Sequence, residues 1–469
     1  MDGRPVDREG LVARLRAGLR PDQVTATPAD RAVYGYDAAW AEGWPDVVVH
    51  AESTADVAFV LRVAQDLAVP VVPRGGGTGL AGGSVPVGGG ICLNLARMNR
   101  ILAIDPADGV AVVQPGVITY DLQRAVEARG LFYPPDPASL YMSTIGGNVA
   151  TNAGGPRCLK YGVTRDYVLG LEVVLPGGEV LRLGGRVMKD VSAYDLKQLF
   201  IGSEGTLGVI TEVTVRLLPR PPALGAMAVA FDRLEAAGEA VVALLGVGVL
   251  PLMIELMDRG VMQAVEAFRP YGLPVTAEAL LLVAADGEEA AVREALARMQ
   301  ASMTAHGGRL VRIADTAEEA EALWEARRNV SPAISRLAPH KFSEDITIPR
   351  SRIPEMIRQI QRISHETQVP ILIYGHIGDG NLHPTLLCDR RDPEAMTRIA
   401  NAATQIFETA LNLGGVLSGE HGIGLLKRDF LLQAFPAATL EKLLAVKFLF
   451  DPKGIMNPGK KLPLPRRWV

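Results

Sequence analysis

The segment PRGGGTGLAGGS, Pro73 to Ser84, constrains this chain more than any other, because six of its twelve residues are glycine. A run of that composition continues neither a helix nor a strand, so it is a loop whose shape is set by rigid elements on either side. Its backbone N–H groups lie uncovered by side chains, and successive amides in such a turn form a concave nest for phosphate oxygens. Arg74 either adds charge to that nest or holds the loop in place. A flexible turn with no ligand is the competing reading of this loop taken alone. The flanks supply the rigid elements. VVVH, then STADVAFVLRVAQDLAVP with apolar residues at helical spacing, then VPVVPRGGG, read as a β-α-β unit between Val47 and Leu95, with Ser53 or Thr54 as N-cap and Asp56 in the first helical turn. The string GTGLAG, Gly77 to Gly82, satisfies the dinucleotide pattern GxGxxG, but its context does not. That pattern must open a helix and be followed about 20 residues on by an acidic ribose ligand. Here SVPVGGG follows, and position 97 is arginine.

Two further loops share this character. PPDPASLYMSTIGGNVATNAGG, Pro134 to Gly155, combines small residues with amides and hydroxyls: Ile145, Gly146 and Gly147 permit close approach to a flat ring, and Thr144, Asn148, Thr151 and Asn152 offer hydrogen bonds. IGSEGTLGVIT, Ile201 to Thr211, opens a strand. Between Ile101 and Pro219 the chain runs in short β-type stretches (GVAVVQPGV, LGLEVVLPGG, GVITEVTVRLLP), interrupted by one helix, TYDLQRAVEARG, that ends at Gly130. This is a second α+β lobe, and three such loops in two adjacent lobes imply an extended, phosphate-bearing ligand. The prolines at 219, 221 and 222 then close a domain, because they continue neither a helix nor a central strand.

A chain of 469 residues has room for two or three domains. With 48% hydrophobic and 21% charged residues it is globular, and a net charge of −4 gives no electrostatic case for a nucleic-acid partner. Cys92, Cys158 and Cys388 are too widely spaced for a disulfide framework or a thiolate zinc site, which points to a reducing, cytoplasmic setting. MDGRPVDREG has no apolar signal core, and no run reaches the ~18–20 apolar residues of a membrane span.

After Pro222, β-runs (AMAVAF, LLLVAADG, LVRIA, DITIP, VPILIYGH, PTLLC) alternate with amphipathic helices such as EEAAVREALARMQASMTAHGG, which reads as an antiparallel sheet covered by helices. Three of the seven histidines, His376, His383 and His421, fall in two motifs of this region. In YGHIGDGNLHP a strand ends, GDGN turns, and a return strand begins, so His376 and His383 can face each other across a hairpin. Their spacing of seven does not fit the HExxH metalloprotease helix. Glu420 and His421 arrive from VLSGEHGIG. Two imidazoles and one carboxylate make a three-ligand site with a position open for substrate, as a catalytic divalent metal needs; hydrogen-bonded core histidines are the alternative. The final DPKGIMNPGK is a poor helix or strand and reads as a segment folding back onto the first domain.

Taken together, PRGGGTGLAGGS, IGGNVATNAGG, KYGVTRDYV and GSEGTLGVIT resemble the FAD-binding domain of the vanillyl-alcohol oxidase superfamily. GHIGDGNLHP and SGEHGIG narrow the resemblance to FAD-linked D-2-hydroxy-acid dehydrogenases, in the branch of the glycolate oxidase FAD subunit and D-lactate dehydrogenase; the match runs from about Asp46 to Lys460. The resemblance implies an α+β architecture: a two-lobed FAD-binding domain over residues 1–219 (lobes about 1–97 and 98–219), a cap domain with antiparallel sheet and helices over 220–429, and a returning segment over 430–469. It implies FAD contacts in the first loop from Arg74, Gly75, Gly76, Gly77, Thr78, Gly79, Gly83 and Ser84. In the second loop the implied contacts are Pro135, Asp136, Thr144, Gly146, Gly147, Asn148, Thr151, Asn152 and Ala153, with Glu204, Ile210 and Asn457 beyond it. Some relatives attach FAD through a histidine in the first loop; Thr78 occupies that neighbourhood here, so FAD is expected to be noncovalent.

The resemblance also favours a metal at His376, His383 and Glu420, zinc first, with manganese or iron also compatible. Family members carry an arginine after a tryptophan at the spacing of Trp324 and Arg327, which makes Arg327 the expected bidentate clamp for a substrate carboxylate, with Arg328 solvated. Lys341 is a weaker candidate: in the 2-hydroxyglutarate branch a lysine precedes the strand-ending proline by six, and that position here is Ser343. His421 is the expected general base, and Asn381 either a hydrogen-bond donor to substrate or an ordinary turn residue. The implied reaction is oxidation of a small D-2-hydroxy acid, glycolate or D-lactate, to the 2-oxo acid by hydride transfer to flavin N5. Electrons would pass to an iron–sulfur subunit, an electron-transfer flavoprotein, a cytochrome or a quinone, in a homodimer or hetero-oligomer held at the inner-membrane periphery by its partners. The rivals are a noncatalytic flavin subunit that relays electrons, which would not need Arg327, His376, His383, Glu420 and His421 together, and a metal hydrolase, which would leave three glycine loops unexplained.

Overall fold

The computed structural model of the chain describes residues 7–314 and 317–463. Contacts divide them into two compact units. The first holds the described residues up to Gly154, Val163–Arg220, and those from Glu420 onward; the second holds Gly155–Gly162 and Pro221–Gly419.

In the first unit, apolar β-branched runs form a four-stranded sheet in the order Val24–Thr25, Val47–His50, Ile91–Asn94, Val71–Arg74, the last three parallel. The connection between two of them is the helix Thr54–Leu67, capped by Ser53, whose hydroxyl accepts the Asp56 N–H at 3.2 Å. It buries Val57, Val60, Leu61 and Ala64 against the sheet strands in one apolar cluster, so Leu61→Ala would cost about 2–5 kcal/mol. No helix follows the glycine-rich loop through Gly90, which removes the dinucleotide-helix reading. The second sheet has five antiparallel strands, in the order Ile101–Asp105, Val110–Val113, Val209–Arg216, Val168–Val174, Val180–Gly184. Val174 and Val209 join the core of the first sheet, and so do Ile455 and Met456 from the C-terminal segment. That segment is stitched to the first sheet by Val71 N–H to Ile455 O and Asn457 N–H to Val71 O, each 2.8 Å.

The second unit is an antiparallel sheet in the order Arg309–Ala314, Ala223–Phe231, Ala279–Gly287, Met253–Asp258, Ile371–Gly375, Asn381–Cys388, His340–Ser343, with Ile346–Thr347 also paired to Asn381–Cys388. Ala279–Gly287 and Met253–Asp258 are buried almost without alternation because helices cover both faces. One face packs its Ala226, Ala228, Leu280, Leu282 and Met257 with Val261, Val265 and Trp324 of two helices, Arg259–Phe268 and Ala317–Arg328. On the other side Glu289–Ala305 lies on Ala223–Phe231, and Ile353–Thr367 packs between Leu234–Leu244 and Pro393–Asn412. The short arm Gly155–Gly162 is pinned to this unit by the Asp286 carboxylate, which pairs with Lys160 and accepts the Tyr161 hydroxyl at 2.7 Å. Among the described residues no helix is long and apolar enough to cross a membrane.

Candidate functional site

In the first unit the three glycine-rich loops and the C-terminal segment lock into one another. A Cβ on Gly75 would sit 2.3 Å from Thr144 Oγ1, and one on Gly76 would sit 2.3 Å from Met142 O, so the first loop packs on the second only without side chains there. Arg74 holds the first loop: its Nη1 donates to Tyr36 O at 2.6 Å, its guanidinium lies 5.5 Å over the Tyr34 ring, and a Cβ on Gly77 (φ +68°) would strike it. Ser84 directs its N–H and hydroxyl at Asp37 Oδ2, 3.4 and 3.3 Å away. Burial pushes the Asp37 carboxyl above its ordinary value. Thr78 is half-buried.

The second loop spends much of its polarity on itself. Thr144 caps the short helix Ile145–Thr151 by accepting the Gly147 N–H, Asn148 Nδ2 donates to Thr119 Oγ1 at 2.7 Å, and Thr151 bonds back to Gly147 O. Asn152 turns the chain at φ +54° and accepts the Arg165 N–H at 2.9 Å, while Ala153 N–H returns to Asn148 O. Gly146 abuts Pro115, and Pro135 O accepts Gln123 Nε2 at 2.8 Å. Asp136 is half-buried and Ile210 buried.

Glu204 and Asn457 both sit at positive φ, +55° and +42°. Glu204 accepts the consecutive N–H groups of Ile423 and Gly424 at 3.0 and 2.7 Å and faces Lys461 Nζ at 3.2 Å. Asn457 Nδ2 donates to Gly83 O at 2.8 Å and to Glu204 O at 2.7 Å, which ties the first and third loops to the tail. Two buried lysines complete the tie: Lys460 Nζ donates to Val85 O and Asn457 Oδ1, and Lys447 Nζ to Thr206 O and Met456 O. His421 and Glu420, half-buried, lie in this unit with Nε2 3.6 Å from a Glu420 oxygen.

The second unit carries the histidine pair. The register sets Tyr374 opposite His383, and the intervening turn swings His376 round so that the two buried imidazoles meet edge to face, centroids 5.2 Å apart at 89°, with ligand atoms within 4.8 Å. His376 Nδ1 lies 2.7 Å from Glu255 Oε1, and His383 Nδ1 lies 3.8 Å from Asp345 Oδ1. Asp345 also accepts the Ser418 hydroxyl at 2.6 Å and Asn381 Nδ2 at 2.8 Å. Asn381 spends its amide hydrogens here and on Ile346 O. Gly419 must be glycine, since a Cβ would come within 2.3 Å of Thr347 Oγ1 and 2.5 Å of Asn381 Nδ2; the next residue in the chain is Glu420.

Arg327, 8% exposed, donates through Nε to Glu255 Oε2 at 2.6 Å and lies 5.1 Å over the Tyr374 ring. Its two Nη nitrogens make no hydrogen bond among the described residues. Burial works against the charge on Glu255, but His376 and then Arg327 outweigh it and hold the carboxyl below its ordinary value. Arg328 turns instead to Glu321. Lys341 donates to Ser331 O and Oγ at 2.6 and 2.7 Å, and burial lowers its ammonium to about 8. Glu255 and Asp345 are the residues that motif reading misses: Glu255 lies inside an apolar strand and Asp345 next to Glu344 between two short strands, with no spacing to announce either.

Residues 45–184 match a family model described as an FAD binding domain, and residues 220–461 match the C-terminal domain of FAD linked oxidases. The chain belongs to the FAD-linked oxidase family. It is 43% identical over 441 residues to the glycolate oxidase subunit GlcD of Bacillus subtilis (strain 168), with 94% of each chain covered. With the D-lactate dehydrogenase of Anaerostipes hadrus it shares 36% identity over 442 residues, 92% of each. Among solved structures, 4-ethylphenol oxidase from Gulosibacter chungangensis, in its isoeugenol complex, superposes with a TM-score of 0.82 over 100% of this chain and 99% of that one, at 21% identity. That likeness shows the fold, the α+β fold of vanillyl-alcohol-oxidase-type FAD enzymes. The first unit of this FAD-linked oxidase fits its cofactor at Gly79 and Gly83. Neither has positive φ, and an added Cβ would meet no protein atom closer than 3.8 and 3.9 Å, so the chain itself leaves room beside both, as a cofactor seated there requires.

Proposed function

We propose that this FAD-linked oxidase oxidises a small D-2-hydroxy acid, glycolate or D-lactate, to the corresponding 2-oxo acid. The observation that carries the reading is Arg327. Glu255 and the Tyr374 ring hold this guanidinium in place while both of its terminal nitrogens stay unspent, available to an anion. The Nη pair is the fork that receives a carboxylate bidentately, while Nε is occupied by Glu255. The two relatives, named for glycolate and D-lactate, support a small monocarboxylate. Ser343, where the 2-hydroxyglutarate branch has lysine, agrees as well.

Oxidising the alcohol carbon requires a place for the carboxylate, removal of the hydroxyl proton and an acceptor for hydride. Arg327 binds and orients the carboxylate. His421 takes the hydroxyl proton, as a neutral imidazole nitrogen within reach can. His376, His383 and Glu420 are assigned to a divalent metal, zinc first with manganese or iron also fitting. Support comes from the paired imidazoles and from Glu255 on the far nitrogen of His376, the second-sphere partner that metal-ligating histidines keep. When bound, noncovalent FAD supplies the two-electron acceptor and the metal a Lewis acid for the hydroxyl oxygen. A separate acceptor then reoxidises the flavoprotein: an iron–sulfur subunit, an electron-transfer flavoprotein, a cytochrome or a quinone.

The test is anaerobic titration of purified holoprotein with glycolate, D-lactate and L-lactate. Bleaching of the flavin band near ~450 nm by glycolate or D-lactate is expected. Colour that persists with every short 2-hydroxy acid would reject the assignment and favour the electron-relay subunit.

A further inference from the structure

Glu255 lies on the Met253–Asp258 strand, fully buried, on the sheet face it shares with Met253 and Met257. Its two oxygens have different duties: Oε2 accepts Arg327 Nε at 2.6 Å, and Oε1 meets His376 Nδ1 at 2.7 Å. The remaining contacts close a ring of five side chains. Arg327 stacks on Tyr374, the Tyr374 ring lies 5.4 Å from that of His383, and His383 meets His376.

Two physical points give this ring a meaning. A carboxylate only accepts, so His376 must carry its proton on Nδ1, and the lone pair falls on Nε2. Burying an acid among charges is moreover seldom the cheapest way to fill a core; an apolar side chain of similar volume serves stability as well or better. Glu255 is therefore explained by what it orients.

We propose that Glu255 is a positioning residue that sets the His376 tautomer and the Arg327 fork together, so that metal affinity and carboxylate affinity rise and fall as one. This rests on the roles assigned above to Arg327 and His376. No other side chain of similar size can replace it, because glutamine offers one acceptor oxygen and an NH2 group. In Glu255→Gln either Arg327 or His376 faces a donor.

The experiment compares FAD-loaded wild type, Glu255→Gln and Glu255→Asp in two measurements. Zinc affinity is read by competition with a chromophoric chelator. Anaerobic flavin reduction by D-lactate and glycolate is resolved into half-saturation and limiting rate. Glu255→Gln should lose about 10–100-fold in zinc affinity, the usual cost of removing such a second-sphere partner. Its half-saturation should rise about tenfold, with flavin per chain unchanged. Glu255→Asp, which keeps two acceptor oxygens, should recover part of both. Wild-type zinc affinity and wild-type half-saturation in Glu255→Gln would overturn the proposal. Should that variant not accumulate, Glu255→Asp decides: both constants shifted in the same direction support the coupling, and both unchanged refute it. The two readings fail separately. Equal zinc affinity in wild type and variants removes the role of Glu255 and leaves the substrate assignment standing. A wild type that no 2-hydroxy acid reduces removes the substrate assignment, and the zinc comparison still decides on Glu255. A wild type that binds no zinc refutes the coupling outright.

Discussion

Gly79 and Gly83 differ from their neighbours in that nothing in the polypeptide demands them. Gly77 is held by its φ of +68° and by Arg74, and Gly75 and Gly76 by the second loop. At positions 79 and 83 a methyl group would fit the protein, and on the proposed placement of FAD it would intrude only on the ligand. Gly79→Ala and Gly83→Ala should therefore change apoprotein stability by no more than about 0.5 kcal/mol, while flavin per chain, read from the ratio of visible to ultraviolet absorbance, falls severalfold or more. Full flavin content in both variants would move the FAD wall elsewhere. Arg327 makes a sharper case. Lysine keeps the charge but loses the fork and the Nε bond to Glu255, so Arg327→Lys should raise half-saturation for D-lactate by about 100-fold, as bidentate sites do not tolerate this exchange. The flavin spectrum should be unaltered. Native kinetic constants in that variant would take Arg327 out of the mechanism. Both residues can be proposed from the string, Gly79 from its glycine cluster and Arg327 from what the family resemblance implies for an arginine after Trp324. Glu255 cannot, since burial beside two cations is a property of three elements brought together and not of any one string.

The elements show the same division between what a string announces and what packing decides. The helix Thr54–Leu67 is legible because Ser53 caps it and its apolar spacing is regular. The hairpin of His376 and His383 is legible because Gly-Asp-Gly turns between two apolar runs, although Asn381, read as part of the turn, opens the return strand. The strand Met253–Asp258 is hidden: Met-Ile-Glu-Leu-Met-Asp holds a single β-branched residue, and burial on both faces erases the period of two. The tail is intermediate, since its proline and glycine rule out regular structure without saying what holds it. Lysines do. Burial lowers the Lys460 ammonium from 10.5 to about 8. A folded-state value below the unfolded one means that the stability Lys460 contributes is present above about pH 10.5 and is lost as pH falls through about 8. The advantage in melting temperature of wild type over Lys460→Met should accordingly shrink as pH is lowered across that window. Lys341, lowered to about 8 as well, is common to both proteins and cancels in the difference. An advantage independent of pH would mean that Lys460 is not ionised differently in the fold.

At the scale of the whole molecule the chemistry is divided between the two units. The glycine loops, Glu204, Asn457 and the lysines of the tail belong to the first unit; Arg327, Glu255, His376 and His383 belong to the second; Glu420 opens the stretch that returns to the first. The groups proposed to anchor the cofactor are thus on different segments from the proposed clamp and from two of the three groups assigned to metal, and the two functions should be separable in one preparation. Dialysis of the holoprotein against a strong chelator is expected to leave flavin absorbance essentially intact, because none of the loops proposed to hold FAD contains an assigned metal ligand. It should slow anaerobic reduction by D-lactate at least tenfold, because the hydroxyl loses the charge that eases its deprotonation. Added zinc or manganese should restore the rate, and one of the two should restore it better, which identifies the working ion. If elemental analysis finds no metal before dialysis and the chelator changes nothing, the paired imidazoles are core residues around Glu255 and Asp345, and the hydroxyl proton leaves to His421 unaided.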